Sequence, residues 1–210
     1  MATRETVFLI EDDKAVRESV TRMLIAEGLD VEAFGDPAEL LKAYDPSKPG
    51  CLLIDLRLPR MNGLELHAEL LRRGCEHPFI IITGHGAVSH ATAAMREGAV
   101  DFLEKPFDRQ CLLDRIHEAI RSDANRRQKC AELESIQVRI DSLTAREREV
   151  MALVVDGKLT KHIARELGIS TKTVEVHRSH ITQKMQVGSV AQLVRLITEY
   201  TMGSESLTDT

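Results

Sequence analysis

The chain has 210 residues, 43% of them hydrophobic and 29% charged, a globular composition that allows one large domain or two small ones and excludes a disordered tail. An apolar run of about 18 residues is absent, as is a signal-peptide stretch after Met1, so neither a membrane span nor secretion is expected; the cysteines Cys51, Cys75, Cys111 and Cys130 form no C-x-x-C pair, which argues against a zinc or disulfide framework and for a reducing cytosol. Residues 1–121 carry a net charge of −6 and residues 143–210 a net +1, which fits two domains with different partners, while 3% aromatic residues and no tryptophan argue against a surface that stacks single-stranded bases.

In chain order, residues 7–10, 31–34, 51–54, 79–82 and 100–103 are short apolar, largely β-branched runs that read as strands. Amphipathic stretches lie between them, such as 15–27 with Val16, Val20, Met23 and Leu24 at helical spacing, and 64–71 with Leu64, Leu66, Leu70 and Leu71. Gly28, Pro37, Gly63, Gly74, Pro78, Gly98 and Pro106 mark the boundaries. Near-continuous apolar strands alternating with helices predict a doubly wound α/β domain over 1–121: a five-stranded parallel sheet with its site beyond the carboxyl ends of the strands.

Strand signals stop near residue 124. From there Cys130, Leu133, Ile136 (or Gln137), Ile140 and Leu143 recur every three or four positions, which predicts a helical linker over 122–142. Such a stripe either pairs with a copy of itself or is the last helix of the first domain running on into solvent. Four helices follow, at 144–155, 160–167, 171–185 and 189–200. Thr144 with Glu147 three residues on makes a capping box, Ser170 caps the third helix, and Gly157 and Gly168 stand at helix ends. Helix, Gly168-Ile169-Ser170, helix is the spacing of a helix-turn-helix, here within an all-α domain over 143–203; 204–210 reads as a flexible polar tail.

Ionisable or hydroxyl groups close four of the five strands: Glu11-Asp12, Asp55, Thr83 and Lys105. In a doubly wound sheet these converge, and packed carboxylates repel, so either some are protonated or a cation sits among them. Oxygen ligands beside a phosphate favour magnesium over zinc. Lys105 and the Thr83 hydroxyl would then serve a tetrahedral anion attached at Asp55. Each feature has a plainer alternative: a strand-end Asp is often a helix cap, Lys105-Pro106 is a structural turn whose bond is cis or trans, and Phe102 is a core side chain. An aspartate-nucleophile phosphohydrolase would carry a second Asp two residues after the nucleophile, where this chain has Arg57.

The segments Glu11-Asp12-Asp13, 54–63 around Asp55, Thr83-Gly84-His85-Gly86 and Glu104-Lys105-Pro106-Phe107 together resemble the receiver domain of two-component response regulators, a flavodoxin-like fold. Residues 143–150 with Thr173-Val174-Glu175-Val176-His177-Arg178 resemble the LuxR-type helix-turn-helix output domain of the NarL/FixJ class, nearest its FixJ-like members. The resemblance implies a phosphorylation-dependent transcriptional regulator, not an enzyme. It implies that Asp55 accepts a phosphoryl group from a sensor histidine kinase, that Asp12, Asp55 and the Arg57 carbonyl hold Mg²⁺ with Glu11 acting through water, that Thr83 and Lys105 bind the phosphoryl oxygens, and that Thr83 and Phe102 form a switch reporting to the fourth and fifth helices. Asp12 is expected as the ligand rather than Asp13.

In the output domain the resemblance implies that the helix from Thr171 enters the major groove of double-stranded DNA. Lys172, Thr173, Glu175, Val176, His177, Arg178 and Ser179 are its candidate DNA-facing residues, with Lys161 and Lys184 on phosphates and Val174, Ile181 and Met185 facing the core. His177 and His180 are spaced like a metal pair but lack a third ligand. Thr160-Lys161-His162 departs from the family's usual Asn-Lys-Glu. The expected assembly is a cytoplasmic homodimer formed on phosphorylation that acts as an activator, with promoter DNA and RNA polymerase as partners and no membrane contact.

Overall fold

The computed structural model describes residues 5–84 and 101–208, which fall into two compact units, 1–127 and 128–210. His85, Gly86, Gly98, Val100 and the helix expected between the fourth and fifth strands lie outside the described residues. In the first unit, β1 (Thr6–Ile10), β2 (Asp30–Phe34), β3 (Gly50–Asp55), β4 (Phe79–Thr83) and β5 (Asp101–Glu104) form one sheet in the order β2-β1-β3-β4-β5. Every pairing is parallel. Helices α1 (Lys14–Ala26), α2 (Pro37–Ala43) and α3 (Gly63–Arg72) connect the first four strands.

Alternate residues of each strand feed opposite cores, because successive side chains on a strand point to opposite faces. Phe8, Ile10, Leu52, Ile54 and Ile81 meet Leu66 and Leu70 of α3 on one face. Val7, Leu9, Leu53, Ile80 and Ile82 meet Val20 and Leu24 of α1 on the other, together with Leu112, Leu113 and Ile116 of the helix after β5. Burial on both faces explains why the central strands β1, β3 and β4 read as unbroken apolar runs rather than alternating ones, whereas the edge strands β2 and β5 are partly exposed and carry charges. Short polar side chains start the helices: Asp13 accepts from Ala15 N and Val16 N at α1, Asp36 caps α2, and Asn62 and Glu65 form a capping box at α3.

The helix after β5 contains the expected helical linker and begins well before it. It is one element, α4 (Arg109–Asp141), with neither glycine nor proline inside it to break it. The two compact units divide within it, between Arg127 and Gln128. Residues 122–142 thus continue the last helix of the first unit, but the second half does not run into solvent. Ile136 and Leu143 are buried in the second unit's core, where Ile140 packs against them. Packing, rather than a chain break, sets the division.

The second unit adds α5 (Ala145–Val155), α6 (Thr160–Leu167), α7 (Thr171–Lys184) and α8 (Val190–Thr208). Val150, Ile163, Val174, Ile181, Met185 and Leu193 build its core, so Val174, Ile181 and Met185 face inward as expected. Gly168 ends α6 in the left-handed conformation and Ser170 caps α7 through Thr173 N. α8 runs to Thr208 rather than stopping at Tyr200, so 204–208, expected in a flexible polar tail, are helical, and Gly203 is buried within the helix.

Glu147 knits this domain together. Its carboxylate is buried and accepts from Thr144 N at 2.8 Å and from Lys184 Nζ at 2.7 Å. The Lys184 bond, followed by those from Thr144, holds its pKa down at about 2 against the opposing effect of burial. A depressed carboxylate stabilises the fold above its ordinary value of 4.5, and that contribution is lost as pH falls from there through about 2. Glu147→Gln is expected to cost about 1.5–3 kcal/mol at neutral pH, seen in the unfolding of the second unit, with the difference from wild type shrinking across that acid range.

Candidate functional site

The strand order reverses between β1 and β3, and the crevice of a doubly wound sheet opens at such a point. Glu11 and Asp12 follow β1 directly, Asp55 is the last residue of β3, and Ile10 pairs in register with Ile54, so Glu11 and Asp55 stand side by side at the carboxyl edge. One oxygen of each of Glu11, Asp12 and Asp55 lies within 4.8 Å of the others. Among the described residues this is the one such cluster of three or more candidate metal ligands.

Lys105 follows β5 and is anchored by its amide, which donates to Thr83 O at 2.7 Å. Its side chain crosses β4 to donate to Asp55 Oδ2 at 2.6 Å and Glu11 Oε2 at 2.5 Å. The Arg57 amide donates to Asp55 Oδ1 at 2.9 Å, so each oxygen of this 5%-exposed aspartate is held by a donor. Burial, with the Asp55 carboxylate adding to it, pushes Glu11 up to about 7, although Lys105 pulls the other way. Burial opposes charge on Lys105, but its bonds to Asp55 and Glu11 keep its pKa above the ordinary lysine value. The hydroxyl of buried Thr83, one strand over, donates to Gly84 O at 3.2 Å.

A close approach keeps this corner tight: a Cβ on Gly63 would lie 2.5 Å from Asp55 O, so any side chain there would displace the backbone that carries Asp55. Asp13 and Asp12 divide the work of the first loop. Asp13 gives its carboxylate to the α1 cap, and exposed Asp12 keeps its own in the acidic cluster. Three carboxylates, two from the loop after β1 and one from the end of β3, form a hard-oxygen donor set that fits a divalent cation of the magnesium class. Phe102 pairs in register with Ile81 and is half-buried against the core under α3. The Lys105–Pro106 bond is cis.

In the second unit, Lys172, Glu175, Val176 and Ser179 are exposed along one face of α7, and Lys161 is exposed on α6. Other candidates have partners inside the domain. Thr173 joins the Ser170 cap, its hydroxyl 2.8 Å from Ser170 Oγ. Arg178 donates to Thr160 Oγ1 at 2.7 Å, tying α7 to the start of α6. His177 is half-buried. Lys184, expected on a DNA phosphate, bonds Glu147 and the Ser142 carbonyl in the free domain. His180 Nδ1 lies 3.6 Å from Glu147 Oε1, and the pair His177/His180 gathers no third ligand among the described residues.

Residues 7–117 match the family model of the response regulator receiver domain, and residues 141–197 match that of the bacterial regulatory proteins of the luxR family. The chain belongs to the response regulators with a LuxR-type DNA-binding domain. It is 40% identical over 195 residues to nodulation protein W of Bradyrhizobium diazoefficiens, covering 93% of this chain and 86% of that one. It is 43% identical to the transcriptional regulatory protein FixJ of Azorhizobium caulinodans over 90% of each. The solved structure of the response regulator StyR superimposes with a TM-score of 0.86 at 40% identity, covering 94% of this chain and all of that one.

This response regulator is therefore a FixJ-like transcription factor and not an enzyme, and its two domains imply a kinase and DNA as partners. No described helix is long and apolar enough to cross a membrane. Two features of the regulator were beyond sequence reasoning. Arg17 braces the acidic loop through its carbonyls. Asp123, in the stretch read as linker, is buried at the opposite edge of the sheet, where it accepts from Gly50 N.

Proposed function

We propose that Asp55 accepts a phosphoryl group from a phosphohistidine of a sensor kinase, and that the modified receiver promotes a homodimer which binds paired half-sites on promoter DNA as an activator, with RNA polymerase as a further partner in the cytoplasm. The observation that carries this reading is Lys105, whose ammonium reaches Asp55 at 2.6 Å at a strand end shared with two further carboxylates. A bond forms between an Asp55 carboxylate oxygen and phosphorus while the phosphorus–nitrogen bond to the kinase histidine breaks, its electron pair returning to the imidazole. Arg57 N and Lys105 fix the carboxylate before attack. Lys105 and the Thr83 hydroxyl then turn to the phosphoryl oxygens, which draws on β4 and lets the half-buried Phe102 repack.

Asp12, Asp55 and the Arg57 carbonyl would hold Mg²⁺, with Glu11 acting through water; when bound, the ion offsets charge on the transferring phosphoryl group. Phe102 lacks a hydroxyl, so a switch at this position reports through packing alone. On DNA, the exposed face of α7 supplies Lys172, Glu175, Val176 and Ser179 to the major groove, with Lys161 on the backbone, and Thr173, His177, Arg178 and Lys184 support that face from within.

The test is the mass distribution of the whole protein in Mg²⁺, with and without beryllofluoride or a small phosphodonor. A shift from monomer to dimer with donor is expected, and an unchanged distribution contradicts the switch. Duplex affinity should fall linearly with salt on logarithmic axes, with a slope near −0.9 for each phosphate neutralised. A flat response would count against groove binding.

A further inference from the structure

We propose that Arg17 is a positioning residue for the cation site, holding the loop that presents the Asp12 carboxylate; the inference rests on the reading that Asp12 helps to bind a divalent cation. Asp12 is exposed and sits just beyond a strand end, so its own burial does not fix it. A carboxylate that must be ordered at the moment of binding costs affinity, whereas one held in place beforehand does not. Arg17, half-buried on α1, supplies the hold. Its Nη1 donates to Glu11 O at 2.6 Å and to Asp12 O at 3.2 Å, bridging two successive carbonyls of the ligand loop. By bonding to carbonyls it steadies the loop without engaging a carboxylate oxygen.

The guanidinium also lies against Gly35, just after β2. A Cβ at Gly35 would stand 3.1 Å from Arg17 Nη1 and 3.2 Å from Cζ, so the absence of a side chain there leaves the slot that Arg17 fills. The loop is also tied to the end of β2 by Glu11 N, which donates to Phe34 O at 3.1 Å. Arg17 is thus wedged between the two loops at the carboxyl edge. Displacing it from either side should loosen Asp12.

Charge and positioning predict opposite signs. Removing a cationic side chain beside a cation site strengthens metal binding if Coulomb attraction alone matters, and weakens it if the side chain orders a ligand. The test is Mn²⁺ binding to the full-length protein, read from the loss of the free-ion electron paramagnetic resonance signal, with thermal unfolding in parallel. Arg17→Ala is expected to weaken Mn²⁺ binding by roughly tenfold or more, the range seen when a residue that orients a metal ligand is removed. Arg17→Lys, which keeps the charge but not the planar fork, should fall between it and wild type. Gly35→Val changes no charge and should weaken binding by crowding the guanidinium.

Asp12→Asn separates the two levels of the argument. If wild type binds no Mn²⁺, or Asp12→Asn binds as wild type does, the cation-site reading fails. If Asp12→Asn loses the ion while folded Arg17→Ala binds as tightly as wild type or more tightly, the role of Arg17 is overturned. Should Arg17→Ala fail to fold, unaltered affinity in folded Gly35→Val and Arg17→Lys overturns it equally.

Discussion

Asp55→Asn is expected to abolish covalent phosphoryl labelling by acetyl phosphate or phosphoramidate while leaving the receiver folded. An amide oxygen is a poor nucleophile, and no other carboxylate of the cluster has the same setting. Asp55 is 5% exposed with one oxygen on Arg57 N and the other on Lys105, so its orientation is fixed before any donor arrives. Glu11 shares Lys105, but burial, with the Asp55 charge adding to it, raises its pKa well above the ordinary carboxylate range and so disfavours its anionic form. Asp12 is exposed, and among the described residues Lys105 pairs with Asp55 and Glu11 rather than with it. Asparagine nearly matches aspartate in shape and removes one of several crowded negative charges, so stability should hold or rise. Labelling that persists undiminished in Asp55→Asn, mapped by mass spectrometry, would move the acceptor elsewhere.

The second large effect is on stability. Asp123→Ala is expected to cost the receiver about 3–5 kcal/mol, because it leaves the buried Gly50 amide without its acceptor and removes the carboxylate that two half-buried guanidiniums share. Asp123 is 1% exposed and accepts from Gly50 N at 3.0 Å, Arg126 Nη2 at 2.7 Å and Arg127 Nε at 2.6 Å. Arg127, oriented by that bond, also donates to the carbonyls of Pro46, Ser47 and Lys48, so one aspartate organises the loop leading into β3. Burial alone would raise its pKa, but the Gly50 amide and then the two guanidiniums prevail and hold it below the ordinary 3.8. The stabilisation is therefore complete above that value and is lost as pH falls below it. Urea unfolding should show the full deficit at neutral pH and a smaller one in acid; a loss under about 1 kcal/mol at neutral pH would mean that the cluster is merely solvated.

The contrast between Asp55 and Asp123 shows what sequence carries. Asp55 closes a run of buried apolar residues, and a charge in that place is visible because nothing in a strand's packing calls for it. Glu11 stands out for the same reason, and the three central strands fix the sheet, since near-continuous apolar runs need cover on both faces. Asp123 lies among charged residues on a helix, where a carboxylate ordinarily faces water, and its partner Gly50 is distant in sequence. Arg17 is equally hidden, since its partners are carbonyls that every residue possesses. A lysine on a helix face, as Lys184 is, carries no sequence signal for the buried Glu147 it bonds, although the capping box containing Glu147 is legible. The apolar stripe of 130–143 was legible too, but which surface it covers is decided by tertiary packing, and that surface is the core of the second unit.

The most direct test of phosphorylation-controlled DNA binding uses one sample of the full-length protein in Mg²⁺ with a small phosphodonor, divided between peptide-mapped mass spectrometry and duplex binding at fixed salt. A single phosphoryl group on the peptide that contains Asp55, rising in step with duplex affinity, is the predicted result. An adduct on another residue, or an Asp55 adduct that leaves DNA affinity unchanged, would contradict it.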